Sequence, residues 1–512
     1  MKPFNFGGIN LTAGGEDGGA DVAQGAPFSI AMVGNFSGRS RSELEHIGSR
    51  RALRIDRDNF DEVLAKLGAE IRFQGGEDGP TRLVFSDLDD FHPDRIFERS
   101  EMFQRLREFR SRLSDPSTFP TAAAELGLVT SKPSPAKKPV QAPTPVGTSA
   151  ARLTTGSLLD ESIEQTEGRD ADESSRRAPD ELSVFVRRVT EPHLVATRDE
   201  LQAESIAALD RAAGEQMRAV LHNPDFQALE AAWRAVFLLV RRIETNPQLK
   251  LYLIDISKQE LAEDLESSEN LRATGLYQRL VEKSVGTPGA EPWAVVIGNY
   301  TFGPSRKDAE LLGRIARIAR AAGAPFIAGV SPRLLGCPSF ESAPHPRDWT
   351  VRQSADDMAA WGELRHLPEA DVVGLALPRF LLRLPYGENT AAAESFAFEE
   401  MPGTPSHEDY LWGNAAFSCA LLLAESFSAH GWAMNPGVIS EIDGLPLHVY
   451  RRGGESELKP CAETLLTDDA VERILEHGLM PLVSLKGRDL VRLARFQSIA
   501  EPHGPLAGPW NK

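Results

Sequence analysis

WAVVIGNYTFGPSRKDAELLGRIARIARAAGAPFIAGVS, from Trp293 to Ser331, reads as strand, helix, strand with short connections. That order is the signature of a parallel α/β layer, because a parallel pair needs a crossover and a helix supplies it. Upstream, LKLYLIDI (Leu249 to Ile256) is a further strand, followed by a helix around Lys258 to Leu265. From about Asp199 the pattern is helical for some 45 residues, with a restart at HNPDFQALEAAWRAVFLLVRRI. There Asn223 caps and Pro224 takes the first helical position. Downstream come VVGLALPRFLLRLPYG, FAFEE, YLWGNAAFSCALLLAESFSAHGW and a last unit ending near Phe496.

The first 125 residues carry a second α/β pattern. PFSIAMVGNFSGR, from Pro27, is a buried strand ending in a turn. Asp58 or Asn59 caps a helix with the apolar stripe Phe60, Val63, Leu64 and Leu67, and Gly68 stops it. Thr81 to Phe85 is a strand, and Ile96 to Leu113 marks one or two amphipathic helices. The sequence thus predicts a compact unit of its own. Ahead of it, FNFGGINL (Phe4 to Leu11) is a candidate strand for pairing with another chain.

Between the two patterns runs SKPSPAKKPVQAPTPVG, Ser131 to Gly147. Its prolines recur too closely for a helix or central strand, and it has almost no apolar side chains to bury. It reads as a semi-extended tether. Beyond it, SLLDESIEQT has Ser157 as N-cap and Asp160 at the third helical position. Leu158, Leu159 and Ile163 would share one face, with polar sequence following to about Pro179. Such a face either docks on a partner or packs back on its own domain.

Composition excludes several roles. The net charge of −18 over 512 residues argues against a duplex nucleic-acid partner and an anionic membrane surface. No run of about 18 apolar residues is present, and the N-terminus lacks the basic start and apolar stretch of a signal peptide, so the chain reads as cytoplasmic. Cys337, Cys419 and Cys461 are odd in number and widely spaced, which makes neither a disulfide framework nor a zinc site. The sequence shows no phosphate loop, dinucleotide fingerprint, zinc-protease motif or nucleophile elbow, so no catalytic residue, cofactor or metal is expected. DLDDFHPD (Asp87 to Asp94) reads as a strand end before a helix N-terminus, where acidic residues suit the dipole. In RFLLRLPYG, Arg379 and Arg383 suit bidentate pairing with carboxylates at a subunit contact. Charge reversal there is expected to weaken assembly and spare the fold. Glu399 and Glu400 of FAFEE, being adjacent, point apart and are poor acid/base partners; they read as a charged contact or a solvated face. Trp361, Trp412 and Trp432 read as core or interface anchors.

PFSIAMVGNFSGR, RIDRDNFDEVLAKL, FSDLDDFHPDRIFERSEMFQRLREFRSRLSDP and TFPTAAAEL resemble the small subunit (VipA/TssB) of the type VI secretion contractile sheath. LEAAWRAVFLLV, LYLIDISKQELAEDL, PWAVVIGNYTF, ALPRFLLRLPYG, YLWGNAAF and ESFSAHGW are similar to the large subunit (VipB/TssC). The resemblance covers roughly Pro27 to Leu126 and Glu181 to Ser498. It implies two linked α/β sheath-type units joined by a Pro-rich disordered linker. The segments are a flexible 1–26, a small-subunit-like 27–128, a linker 129–156, a short helix with polar sequence 157–180, a large-subunit-like 181–500 and a tail 501–512.

The resemblance implies a mechanical function. Sheath protomers assemble around an Hcp tube, contract to propel it, contact baseplate proteins, and are recycled by a ClpV-like AAA+ unfoldase docking on Leu158, Leu159 and Ile163. Arg379, Arg383, Glu399 and Glu400 become candidate subunit-interface residues. The family's large subunit continues beyond the point matching RFQSIAEP, so a separate chain is expected to supply its C-terminal domain. The alternative is a capping or regulatory sheath paralogue that binds subunits without completing a sheath.

Overall fold

The computed structural model describes residues 4–9, 26–39, 45–73, 81–126, 198–287 and 289–510. The tether and the segment bearing Leu158, Leu159 and Ile163 lie outside the described residues. The chain divides into two compact units, Met1–Arg105 with Ala213–Lys512, and Leu106–Ala212.

In the first unit, the strands β1 (Phe28–Gly34), β2 (Leu53–Ile55), β3 (Ala69–Phe73), β4 (Thr81–Phe85), β5 (Leu249–Asp255), β6 (Trp293–Phe302), β7 (Phe326–Val330) and β8 (Val373–Leu377) come first in the chain. They are followed by β9 (Phe380–Leu381), β10 (Trp412–Gly413), β11 (Glu441–Ile442), β12 (His448–Arg452), β13 (Glu455–Lys459), β14 (Met480–Ser484) and β15 (Val491–Leu493). Nine of them form one sheet in the order β11-β15-β14-β8-β7-β6-β1-β5-β2. Its central six strands are parallel, and the antiparallel pairings lie toward the two edges. The α/β class read from the sequence holds.

The first 125 residues, however, do not close a sheet of their own. β1 lies between β5 and β6 of the large-subunit-like segment, pairing Phe28 with Leu249 through Gly34 with Asp255 on one side. On the other side, Ile30 to Val33 pair with Val295 to Gly298. The reason is visible in β1 itself. All seven of its residues are buried, as in an interior parallel strand covered on both faces. Such a strand needs neighbours on both edges, and the N-terminal segment contributes only the three-residue β2 to the same sheet.

The helices of this unit are α1 (Phe60–Leu67), α2 (Pro93–Arg99), α6 (Pro224–Arg242), α7 (Lys258–Glu266), α8 (Arg306–Ala322), α9 (Ala355–Arg365), α10 (Ala415–His430) and α11 (Asp468–Glu476). Their ends follow the capping chemistry of the sequence. Asn223 accepts from the amides of Asp225 and Phe226 before Pro224 starts α6, and Ser257 and Glu260 form a reciprocal capping box on α7. Gly323 ends α8 at φ 68°, a left-handed turn that suits glycine. Ala31, Val33 and Val296 share a core with Leu312, Ile315 and Ile318 of α8. The alternate residues Ile30, Met32, Val295 and Ile297 point to the opposite face and are equally buried. On α10 twelve of sixteen residues are buried, so this helix is covered nearly all round.

The second unit contains most of α3 (Gln104–Ser114), α4 (Phe119–Glu125) and the first part of α5 (Arg198–Leu221). Leu106, Leu113, Phe119 and Ala122 are buried. Arg110 pairs with Asp210 at 2.8 Å, and Arg112 pairs with Glu125 through two 2.7 Å bonds.

Candidate functional site at the seam of the two halves

A protein that works by packing has its site where segments meet. In the first unit that is the seam between the N-terminal segment and the rest. α6 forms its floor. Trp233, fully buried, donates its indole N–H to the Phe36 carbonyl at 2.8 Å and meets the rings of Phe36 and Phe60 edge-on. Two turns before it on the same helix Phe226 packs edge-on against Phe85 and Phe91, and one turn after it Phe237 packs edge-on against Phe60. Asp255, at the end of β5, accepts from the amides of Phe36 and Ser37 and so fixes the turn after β1. Arg50 binds Glu260 of α7 and donates to the Asp255 carbonyl at 2.6 Å.

A buried charge network lies above this floor. Arg383 forks onto two carboxylates, reaching Glu230 at 2.7 and 3.2 Å and Glu400 at 2.7 and 3.1 Å. Its guanidinium also lies 4.2 Å from the Tyr386 ring centre. Arg234 closes the circuit, donating to Glu230 at 2.7 Å and to the Tyr386 hydroxyl at 2.8 Å. Burial by itself would raise the Glu400 carboxyl, but the Arg383 charge, the neighbouring His222 and hydrogen bonds from Arg383 and the Tyr386 amide hold it down at about 2. Burial likewise works against the Arg383 cation, and the two carboxylates outweigh it and raise its pKa. Both groups are therefore locked in their charged forms.

The N-terminal segment clasps the same loop. Asp94, at the start of α2, accepts from the amides of Glu394 and Ser395 at 2.9–3.0 Å. His92 caps α2 and sits edge-on to Tyr386 at 4.8 Å. Phe97 stacks on Phe396 of FAFEE at 4.5 Å. DLDDFHPD is thus a capped turn and helix start, as its sequence suggested, with Asp94 spent on a long-range contact. Farther along, Phe4 to Ile9 lie on α8, where Phe6 covers Gly313 so closely that a Cβ there would come within 2.3 Å of its ring. Gly8 bridges to Asn270, and Arg314 and Arg317 donate to the Asn5 and Phe6 carbonyls.

Of the sequence-derived candidates, the structure brings Arg383 and Glu400 together. Each finds its carboxylate or guanidinium partners within the chain. Arg379 stands apart, its guanidinium donating twice to one oxygen of Glu463 at 2.6–2.9 Å and its backbone amide to the other at 2.8 Å, and it lies 3.7 Å from Glu408, with 41% of its side chain exposed. Glu399 is exposed and accepts from the Glu388 amide at 2.8 Å. Sequence reading missed Glu230, Arg234, Tyr386 and Glu463. Glu230 did leave a signal, a carboxylate next to Leu229 within an apolar helical stripe, three residues before Trp233. Burial would raise Glu463 too, but His407 and Arg379 hold it at about 2.

These carboxylates predict acid lability. Their folded values lie below the ordinary 4.5, so they contribute stability that is fully present above about pH 4.5 and is lost as pH falls toward 2. The melting temperature of the full chain is expected to drop steeply across that interval. A flat profile there would show that the two pairings add nothing.

The profile of the VipB tail sheath N-terminal domain matches residues 203–500, more than half of the chain. The chain belongs to the type VI secretion sheath family. The type VI secretion system VipA profile matches residues 8–119 of the same chain, so small- and large-subunit families are fused here. The chain is 35% identical over 340 residues to the type VI secretion system sheath protein TssC1 of Pseudomonas aeruginosa, a match covering 64% of this chain and 68% of that protein. It is 25% identical over 107 residues to the sheath protein TssB1 of the same organism, covering 20% of this chain and 62% of that protein. The family assigns a structural sheath role, and β1 and the seam are where its small- and large-subunit parts join. Among the described residues, no helix is long and apolar enough to cross a membrane.

Proposed function

We infer that this chain is a small-plus-large pairing unit of a contractile sheath, polymerising in the cytoplasm around an Hcp-type tube and contracting to drive it outward, with a separate chain supplying the large subunit's C-terminal domain. The observation that supports this best is β1 seated between β5 and β6, with the Arg383 network and the Asp94 clasp beside it. A fused chain fixes the pairing at one to one and raises the effective concentration of each half for the other. Contraction would then move such units as rigid bodies, rearranging the contacts between copies and keeping those within each. Recycling would use an AAA+ unfoldase that grips Leu158, Leu159 and Ile163, and Arg379 and Glu399 are the exposed members of the candidate set available for contacts with other copies. Baseplate proteins would seed the assembly.

Negative-stain electron microscopy of the purified chain, alone and co-expressed with its neighbouring genes, tests the reading. Tubes or cogwheel-like rings are the expected result. Dispersed particles in both samples would overturn it and leave the capping or regulatory paralogue.

A further inference from the structure

The hairpin β12–β13 stands outside the large sheet, and among the described residues it has only two strands. Its register sets His448 of β12 directly opposite Lys459 of β13, and both side chains turn toward the body of the chain. The Lys459 ammonium donates to Nδ1 of His407 at 2.9 Å and lies 5.1 and 5.4 Å from the ring centres of Tyr410 and Trp412. Nδ1 of His448 is 2.7 Å from the Tyr410 hydroxyl. His407 is 2% exposed and fixed from behind. Its Nε2 is 3.3 Å from Glu463, its ring lies against Trp412, and the Trp412 indole donates to its carbonyl at 2.8 Å. With Nδ1 accepting from Lys459, the ring proton is on Nε2, facing Glu463. One lysine cation thus lies between two imidazoles, and the arrangement needs both of them neutral. A protonated His407 has no lone pair left for the ammonium, and a protonated His448 sets a like charge directly across the strand pair.

We propose that His407, His448 and Lys459 form a proton-sensitive latch, which holds the β12–β13 hairpin on the body of the chain and releases it on mild acidification. The charged groups around the latch do not remove the conflict. Glu463 faces His407 but is already bound by Arg379, and a proton gained by His407 beside it still strips Lys459 of its acceptor. Burial lowers the Lys459 pKa, Glu341, Glu463 and Glu408 oppose that, and falling pH only favours the cation further. Glu400, the carboxylate that acts on His448, is held by Arg383. Tyr450 stacks on His448 at 5.7 Å and donates to Glu457, which also lies 3.8 Å from Arg452. The opposite face of the hairpin carries the Val449–Leu458 pair, 60% and 37% exposed, and points away from the body. Burial outweighs Glu400 and lowers the His448 pKa from its ordinary 6.5. A base held neutral in this way gives stability that is present above about pH 6.5 and is lost as pH falls below it. That interval lies above the one in which Glu400 and Glu463 titrate.

Hydrogen exchange of the full-length chain, read by mass spectrometry at about pH 7.5 and about pH 5.5 and corrected for the intrinsic exchange rate, tests the latch. Protection of the hairpin amides is expected to fall about tenfold at the lower pH, while β6 and β7 keep theirs. Lys459→Met removes the cation, and His448→Gln replaces one imidazole by a side chain that does not titrate. In Lys459→Met the ratio between the two pH values should shrink to about twofold or less, because no like charge is left to repel. The same shrinkage in His448→Gln assigns the proton to His448, and a ratio unchanged in that variant assigns it to His407; either keeps the latch. Equal protection of the wild-type hairpin at both pH values would overturn it, and so would a tenfold loss that persists in Lys459→Met. The measurement uses dispersed chains, so its outcome is independent of whether the chain builds a sheath.

Discussion

Arg383→Met is expected to lower the unfolding free energy of the full chain by about 3–5 kcal/mol, measured by denaturant titration. The arginine side chain is 9% exposed and its partners Glu230 and Glu400 are 0% and 1% exposed, so removing it leaves Glu400 buried without its arginine and Glu230 with Arg234 alone. The cost comes from those stranded charges more than from the lost attraction. Two companions test that account. Arg379→Met should cost less than Arg383→Met, because 41% of its side chain faces water and its buried partner Glu463 keeps His407. The double replacement Arg383→Met, Glu400→Gln should be less damaging than Arg383→Met alone, since it also removes the carboxylate that loses its arginine and leaves Glu230 paired with Arg234. This revises what the sequence suggested for charge reversal. Arg383→Glu would place three carboxylates in one buried cluster and is expected to prevent folding, whereas reversal at the 41% exposed Arg379 faces the single buried carboxylate of Glu463 and is expected to be the milder change. A variant Arg383→Glu that melts like the wild type would return the residue to the subunit contact.

What was legible in the sequence was local. The Trp293 to Ser331 unit, the Asn223–Pro224 restart and the Gly68 stop each carry their signal within a few residues, and each appears where it was read. What was hidden depends on partners far along the chain. PFSIAMVG announces a buried strand, but nothing within it names β5 and β6, more than two hundred residues away, as its neighbours. The same holds for the charge network. RFLLRLPYG shows that Arg383 wants carboxylates, while the identity of Glu230 and Glu400 is set by how α6 and the FAFEE loop converge. Exposure was hidden for the same reason. Arg379 and Arg383 look alike in sequence and differ only in what the fold lays over them.

Residues 1–126 and 198–512, expressed as separate chains, are each expected to fail to fold alone and to recover as a one-to-one complex when co-expressed. β1 carries the argument. Phe28, Ile30, Met32 and Val33 are buried to 2% exposure or less, and each such side chain is worth about 1.5–3 kcal/mol relative to exposure. Four of them contribute about 6–12 kcal/mol, as large as the whole margin of about 5–15 kcal/mol by which a domain is stable. Withdrawing β1 also leaves β5 and β6 with unpaired inner edges, and removes the rings of Phe36, Phe60, Phe85 and Phe91 from Trp233 and Phe226. The N-terminal piece fares no better, because β1 loses both of its long neighbours at once. Size-exclusion chromatography with circular dichroism reads the outcome directly. If either piece gave a sharp cooperative melt on its own, the shared sheet would be a docking of two finished domains, and β1 would have to be stable without the strands on either side of it.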